Sequence, residues 1–366
     1  MSGADSDDES IKILSASIHD IRYFTVLLRG LSFSDRASLL VNSSGISVTV
    51  EHSRTLLATA IIFRPLFNEF EYNPEPESNP PSPSPSGAEE EAEEERSTGF
   101  DIPLNIFIDC LNIFGTAGGS TIPAPSRKLR WKPPNTDENS DTEGNNQGPS
   151  NGGSNAQAKK DSANGRIDQY FASEKGTGMR LAYAGQGYPL TLLIAEKANG
   201  PTAKCQITTF EPGEQLILDF DESPTIMKII LKSSWLRDAL SELESLSCDK
   251  LTIIGNPPPP PGRAARLSAP PRLRLQATGP LGSTEIDYPN DSEVLETCEC
   301  AGQVRFSYRF KLVTCAQRAL QSSTKTSLRI NEDGMLHLQL MLPAPRARSS
   351  DMSAFVEFRC LPLDED

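Results

Sequence analysis

Three groups of side chains in this sequence have the types and spacing to do chemistry: paired carboxylates, thiols with imidazoles, and arginines along one helix face. Asp219-Phe220-Asp221-Glu222 contains a carboxylate-x-carboxylate pair. Two-metal nucleases use such a pair, with acids from other elements, to hold ions about 4 Å apart. Here it follows Leu216-Ile217-Leu218 and precedes Ser223-Pro224, the pattern of an acidic connector, and one connecting stretch cannot hold two metals rigidly. Cys298-Glu299-Cys300 is a lone Cys-x-Cys within a strand-like run, and without a second pair it defines no zinc site. His19, His52 and His337 have no Cys or carboxylate at metal-ligand spacing, so each is expected as an ordinary surface or strand residue. Gly176-Thr177-Gly178 and Gly185-Gln186-Gly187 lack the third glycine of a dinucleotide fingerprint and the Gly-Lys-Ser/Thr of a phosphate loop. The expectation is no catalytic centre, no metal and no cofactor.

The basic residues say more by position than by number. Arg22 and Arg29 are seven apart, so on a helix they project within about 20° of each other, away from a stripe of Ile21, Phe24, Leu28 and Leu31. Arg237 falls on the polar face of a second helix that also carries Asp238, Glu242 and Glu244. Such faces are either solvated surface or a positioning surface for a polyanion. Arg127-Lys128-Leu129-Arg130-Trp131-Lys132 joins four positive charges to a Trp; it is either an import or partner-docking segment or incidental charge.

The elements that must carry these residues show one pattern twice. Residues 11–18 form a strand, and Asp20 caps a helix running to about Ser32. Strands follow at 37–41 and 45–51 around the turn Asn42-Ser43-Ser44-Gly45, then at 57–63. In the second half, 226–231 is a strand and Ser233 or Ser234 precedes a helix with Leu236, Ala239, Leu240, Leu243 and Leu246 on one stripe. Strands at 250–255 and 273–278 follow. Two such units predict an α+β protein with two related domains and antiparallel sheets. Periodicity does not assign 305–315.

The chain has 366 residues, 35 Lys+Arg against 49 Asp+Glu, and a formal charge of −14. Its 37 % hydrophobic content lies below the usual apolar share, which predicts unfolded portions. These are an acidic tail at 1–10, a Pro/Glu-rich insertion at 73–98, a Gly/Asn/Ser-rich insertion at 115–178, a Pro-rich insertion at 256–271 and an acidic tip at 364–366. Eight Glu fall within 73–98 alone. The acidity belongs to these segments, so it does not exclude nucleic acid as a partner. No apolar run approaches the roughly 20 residues of a membrane span, the first ten residues are no signal peptide, and seven scattered Cys suit reduced thiols. A secreted or membrane protein is excluded on this reading.

Ordered motifs along the chain carry a family resemblance. They are Ile18-His-Asp-Ile21 running into Leu27-Leu28, Gly45-Ile-Ser-Val-Thr-Val-Glu51, Phe107-Ile-Asp-Cys-Leu-Asn-Ile-Phe-Gly115 and Gly185-Gln-Gly-Tyr-Pro-Leu190. Further on come Lys228-Ile-Ile-Leu-Lys-Ser233 with Leu236-Arg-Asp-Ala-Leu-Ser-Glu-Leu243, Ile286-Asp-Tyr-Pro-Asn-Asp291 and Val356-Glu-Phe-Arg-Cys360. In this order the sequence resembles the Rad-one (Rec-one) subunits of the nine-one-one DNA-damage checkpoint clamp, relatives of the proliferating cell nuclear antigen.

The resemblance implies two sliding-clamp domains, at 11–209 and 225–363, with helices inside, antiparallel sheets outside and a connector at 210–224. It implies a nuclear, non-enzymatic subunit of a heterotrimeric ring. Such a ring takes two other clamp subunits, a clamp loader, DNA bound without regard to sequence, and repair and checkpoint proteins as partners. The inner helices would be at 20–32, 103–114 and 234–246, with a fourth near 305–315. Arg22, Arg29, Arg237, Lys311 and Arg318 are the DNA-facing charges on this reading. Val41, Ile46, Leu216, Leu218, Leu361 and Pro362 would line a groove for partner proteins. The helix at 103–114 departs from the homotrimeric replication clamp, with Asn105, Asp109 and Asn112 on its polar face and no base, which favours a heteromeric ring. A 3′→5′ DNA exonuclease, a label some family members carry, is the alternative, and a homotrimeric replication clamp the second.

Overall fold

The computed structural model describes residues 12–74, 96–115, 177–196, 200–221, 223–259, 269–343 and 354–364. Most of each expected insertion therefore lies outside the described residues. At their margins, Thr98 opens a strand and Gly178 opens another.

The first half runs β1 (Leu14–Ile18), α1 (Ile21–Arg29), β2 (Arg36–Asn42), β3 (Gly45–His52), β4 (Leu56–Phe63), β5 (Glu69–Tyr72), β6 (Thr98–Pro103), α2 (Leu104–Leu111), β7 (Gly178–Tyr183), β8 (Leu190–Ala195) and β9 (Thr202–Ile207). The second runs β10 (Thr225–Lys232), α3 (Ser233–Glu244), β11 (Lys250–Gly255), β12 (Leu273–Gly279), β13 (Gly282–Tyr288), β14 (Leu295–Cys300), β15 (Val304–Arg309), α4 (Phe310–Thr314), α5 (Gln317–Ser322), β16 (Lys325–Asn331), β17 (Leu336–Leu342) and β18 (Ala354–Cys360). The segment 305–315 is thus the end of a strand followed by a short helix, and a second helix comes after it.

The two halves share their pairing order as well as their sequence of elements. The first folds as 5-1-7-8-9 and 4-3-2-6, the second as 14-10-16-17-18 and 13-12-11-15, and all named ladders are antiparallel. β4 and β18 pair directly, Phe355 opposite Ile61 through Cys360 opposite Leu56. That joint makes one nine-stranded sheet across both halves.

Local chemistry fixes the elements. The Asp20 side chain caps α1 by accepting from the Arg22 N–H at 3.0 Å. Asn42 Oδ1 accepts from the N–H groups of Ser44 and Gly45, closing the β2–β3 turn. Gly45 has φ +148°, and a Cβ there would lie 2.2 Å from the Ile62 carbonyl oxygen. Alternate residues of β2, Ala37, Leu39 and Val41, are buried, as are Ile46, Val48 and Val50 of β3, so each strand presents one face to the core.

The helices form a layer beneath these faces, with α2 on α1, α1 on α5 and α5 on α3. Phe24 and Phe107 meet edge to face at 5.9 Å. Gly30 lets α1 approach α5, since a Cβ there would sit 3.1 Å from that of Ala319. Tyr23 ties the halves together: its hydroxyl donates to the Leu342 carbonyl at 2.8 Å and accepts from the Ala354 N–H at 2.9 Å. One hydroxyl thereby links α1 to two strands of the other half.

Candidate nucleic-acid interface and connector groove

The five cations expected to face DNA all sit on the helix layer, but they are not equivalent. Arg22 is exposed and folds back on its own cap: Nε lies 2.9 Å from Asp20 Oδ1 and Nη2 2.6 Å from Oδ2. Burial alone would raise the Asp20 carboxyl, but Arg22's hydrogen bonds and charge hold it below the usual carboxylate range. Arg237 forks onto Asp238 at 2.8 and 2.7 Å. Both arginines therefore present a locally neutral pair to anything opposite. Arg29 ends α1 half-buried, Lys311 on α4 is exposed, and Arg318 on α5 donates to Ser32 Oγ. These three have no carboxylate within ion-pair distance among the described residues. On α2, Asn105 and Asp109 are exposed. Outside those two pairs, the basic side chains of this layer are Arg29, Lys311 and Arg318, while α2 contributes Asp109 and α3 Glu242 and Glu244.

The second region is the connector, residues 208–224, which crosses the outward face of the nine-stranded sheet. Phe210 and Asp101 exchange backbone hydrogen bonds at 2.9 Å, and the Arg36 guanidinium lies 4.4 Å above the Phe210 ring. Buried Asp101 accepts from Ser38 and, at 3.4 Å, from the Gly213 N–H. Glu51 accepts from the Leu216 N–H at 3.1 Å. Between these anchors lies a polar cavity of about 220 Å³, lined by Arg36, Ser38, Thr49, Glu51 and Asp101. Farther along, Leu218, Phe220 and Met335 form a small apolar cluster with Leu57, Leu216 and Leu361. The Arg359 side chain donates to the Leu218 carbonyl at 3.0 Å.

Leu216, Leu218 and Leu361 are thus brought together in one cluster, with half-buried Pro362 next in the chain. Val41 and Ile46 are not. Both are buried in the main core, 0 % and 2 % exposed, on the opposite face of their strands. Their place outside is taken by Leu40, 44 % exposed, beside Pro212 and Gly99.

Two residues carry more of this region than their sequence context suggested. Phe220, between two exposed aspartates, is 1 % exposed. Its ring packs 4.9 Å from that of His337, under the Arg329 guanidinium at 5.7 Å. His337 is a strand residue, on β17, and is buried there with Nε2 3.4 Å from Glu357. Burial raises the Glu357 carboxyl, but His337, a hydrogen bond from Gln339 and the Arg359 charge together hold it below its ordinary value. The β-period placing His337 and Glu357 on one side of adjacent strands was the available signal. Asp219 and Asp221 flank the Phe220 plug in solvent, and among the described residues no three His, Cys, Asp or Glu side chains converge as a metal site.

The doubled sheet order, inner helix layer and crossing connector define a sliding-clamp fold. A crystal structure of the PCNA2–PCNA3 complex from Sulfolobus tokodaii matches over 95 % of this chain and 98 % of that one, with a TM-score of 0.57 at 13 % identity. Residues 13–342 match the family of repair proteins Rad1/Rec1/Rad17, and the chain belongs to that family. It is 29 % identical to the human cell cycle checkpoint protein RAD1 over 98 % of this chain and 95 % of the relative. It is 35 % identical to the Schizosaccharomyces pombe DNA damage checkpoint control protein rad1 over 52 % and 54 %. The DNA repair exonuclease REC1 of Mycosarcoma maydis is 24 % identical over 98 % and 97 %.

Proposed function

We propose that this chain is a non-enzymatic subunit of a heterotrimeric nuclear ring that encircles DNA at damage sites and offers repair and checkpoint proteins a docking surface. The observation that carries this reading is the pair of sheet edges left over by the internal duplication. The ninth strand of the second half, β18, pairs with the fourth strand of the first, β4. The corresponding ninth strand of the first half, β9, and fourth strand of the second, β13, end their sheets without a partner among the described residues. An unpaired edge is a ready template for another chain, and the β4–β18 joint displays the geometry that two such edges adopt. Different edges at opposite ends give a heterologous, head-to-tail contact, which closes a ring when the rotation permits.

Apolar side chains accompany both edges. Beside β9, α2 leaves Ile106 and, just past its end, Ile113 exposed, on either side of Cys110, which meets Cys205 of β9. Beside β13, Trp235 is 45 % exposed, and its carbonyl accepts from the Tyr288 hydroxyl. The lining supports heteromeric assembly: with Arg22 and Arg237 paired to carboxylates and α2 without a base, three identical copies would grip DNA weakly. A clamp loader would open one such edge contact. The exonuclease reading requires convergent acids, whereas Asp219 and Asp221 bracket a buried aromatic plug. The test is assembly with the native partner subunits. Ile113→Asp and Trp235→Asp should each abolish the ring while leaving the isolated chain's melt unchanged; rings that form normally with both variants overturn the reading.

A further inference from the structure

The joint between the halves is a template for contacts at the two free edges, because the duplication repeats each of its parts. The Ile21 N–H donates to the Thr177 carbonyl and the Ser233 N–H to the Thr324 carbonyl, both at 3.0 Å. Counted from these bonds, Tyr23, Leu27 and Gly30 of α1 correspond to Trp235, Ala239 and Glu242 of α3. Pro103 lies opposite Arg36 and Arg309 opposite Lys250, so the segments that follow them align as well. Leu312, Ala316 and Ala319, all buried at the joint, correspond to Ile106, Cys110 and Ile113. Ile106 and Ile113 are exposed, as that face would be without its neighbour.

The strands alone would accept a second copy of this chain. From Thr177 the ladders run Gly178–Ala195–Thr202, and from Thr324 they run Lys325–Met341–Phe355. Lys204 of β9 therefore holds the place of Glu357. By the same route Ser38–Thr49–Thr59 matches Thr252–Gln276–Glu285, so Glu285 of β13 holds the place of Thr59. Glu357 lies opposite Thr59 in the joint, and that register would set Lys204 of one copy opposite Glu285 of the next. The helices would not accept it. At the joint α1 meets α5 through two small residues, a Cβ on Gly30 lying 3.1 Å from that of Ala319. In a self-pair Glu242 and Ile113 would take those places, crowding a carboxylate against a branched apolar chain where the helices come closest. Burying a carboxylate with no partner is strongly unfavourable.

We propose, resting on the ring reading above, that Glu242 selects the neighbour at the β13 edge: it excludes a second copy of this chain and takes a subunit with a lysine or arginine where this chain has Ile113. Glu242 is exposed and has no cation within ion-pair distance among the described residues, whereas Asp238, one turn earlier, is held by Arg237 at 2.7 Å. Both carboxylates lie close to Tyr288 of β13, where burial first and then their charges raise the phenol. Exposed Trp235 stands on the same helix face. An incoming lysine or arginine can lay its aliphatic stem along that ring while its charge reaches Glu242.

Two experiments on the full chain test this. In sedimentation velocity the unsubstituted chain should stay monomeric, and Ile113→Lys should self-associate at least about tenfold more tightly. Adding Glu242→Lys to that variant should abolish the association. Equal behaviour of the unsubstituted chain and Ile113→Lys, or association that survives Glu242→Lys, overturns the proposal. With the two native partner subunits immobilised in turn, Glu242→Gln should weaken capture by one of them about tenfold and leave the other unchanged. Unchanged capture by both overturns the proposal. Trp235→Asp reports on the ring reading separately: if it blocks capture where Glu242→Gln does not, the ring stands and selection by Glu242 fails. Ile113 and Glu242 are both exposed, so these variants should melt like the unsubstituted chain.

Discussion

Changing Asp20 to Asn separates two jobs that one carboxylate performs. Asp20 caps α1 through the Arg22 N–H and also chelates the Arg22 guanidinium. Asn caps a helix about as well as Asp, and the ion pair is solvent-exposed, 57 % at Arg22 and 33 % at Asp20, worth about 0–1 kcal/mol. Asp20→Asn should therefore leave stability within about 0.5 kcal/mol, whereas Asp20→Ala should lose about 1 kcal/mol with the cap. The same Asn substitution releases Arg22 to contact phosphate. One more phosphate contact steepens the log affinity–log salt slope by about 0.9. Across a fourfold change in salt that is a further factor of about 3.5 in affinity. The assay is duplex binding by the reconstituted ring over a salt series, with unrelated sequences in parallel. Arg29→Ala should flatten the slope by about 0.9, and Arg22→Ala by much less because its charge is already neutralised. An Asp20→Asn ring with an unchanged slope, or weaker DNA binding, refutes the pairing argument.

Four other outcomes are expected. Tyr23→Phe leaves the Ala354 N–H and Leu342 carbonyl unpaired at the joint of the halves and should cost about 1–3 kcal/mol in denaturant melts. Gly45→Ala should cost at least about 2 kcal/mol, since the Ile62 carbonyl blocks the new Cβ; a smaller loss would mean that the β2–β3 turn relaxes. The Glu357 carboxyl is depressed below its ordinary 4.5, so its stabilising effect is complete above that pH and lost as pH falls through the lower folded value. The stability gap between the unsubstituted chain and Glu357→Gln should accordingly shrink in acid melts below pH about 4.5 and stay constant at neutral pH. Highly purified protein should not shorten 3′ ends with Mg²⁺ or Mn²⁺; an activity that disappears in Asp219→Asn/Asp221→Asn would establish the exonuclease instead.

Much of the architecture was written locally. Asp20 before an apolar helical stripe, Asn42-Ser43-Ser44-Gly45 between alternating runs, and the strand–helix–strand pattern repeated after residue 225 each rest on interactions within a few residues. What escaped depends on partners remote in sequence. Leu39, Leu40 and Val41 are all apolar, so the pattern does not say which parity faces inward, and a one-residue choice moves every side chain to the other face. That is why Val41 and Ile46 were expected in the groove that Leu40 borders. From Val304 to Leu312 apolar and polar residues alternate, so the strand period runs on past Arg309, where the strand ends, and the helix from Phe310 to Thr314 is too short for its own period to register. Phe220 was hidden between acids, and its burial is set by His337 and Arg329 more than a hundred residues away. Arg22 kept its helical position, but helical spacing takes no account of a carboxylate in the cap, so its charge was overcounted.

Encirclement of DNA is the central claim, and topology tests it without relying on any single contact. The chain, assembled with its partner subunits, is loaded on a nicked circular plasmid, washed in high salt, and the retained protein is measured before and after one restriction cut. A ring threaded by DNA stays on the circle through the wash and slides off once the DNA has ends. Equal retention on circular and cut DNA, or loss from both in the salt wash, would contradict encirclement and leave only surface binding.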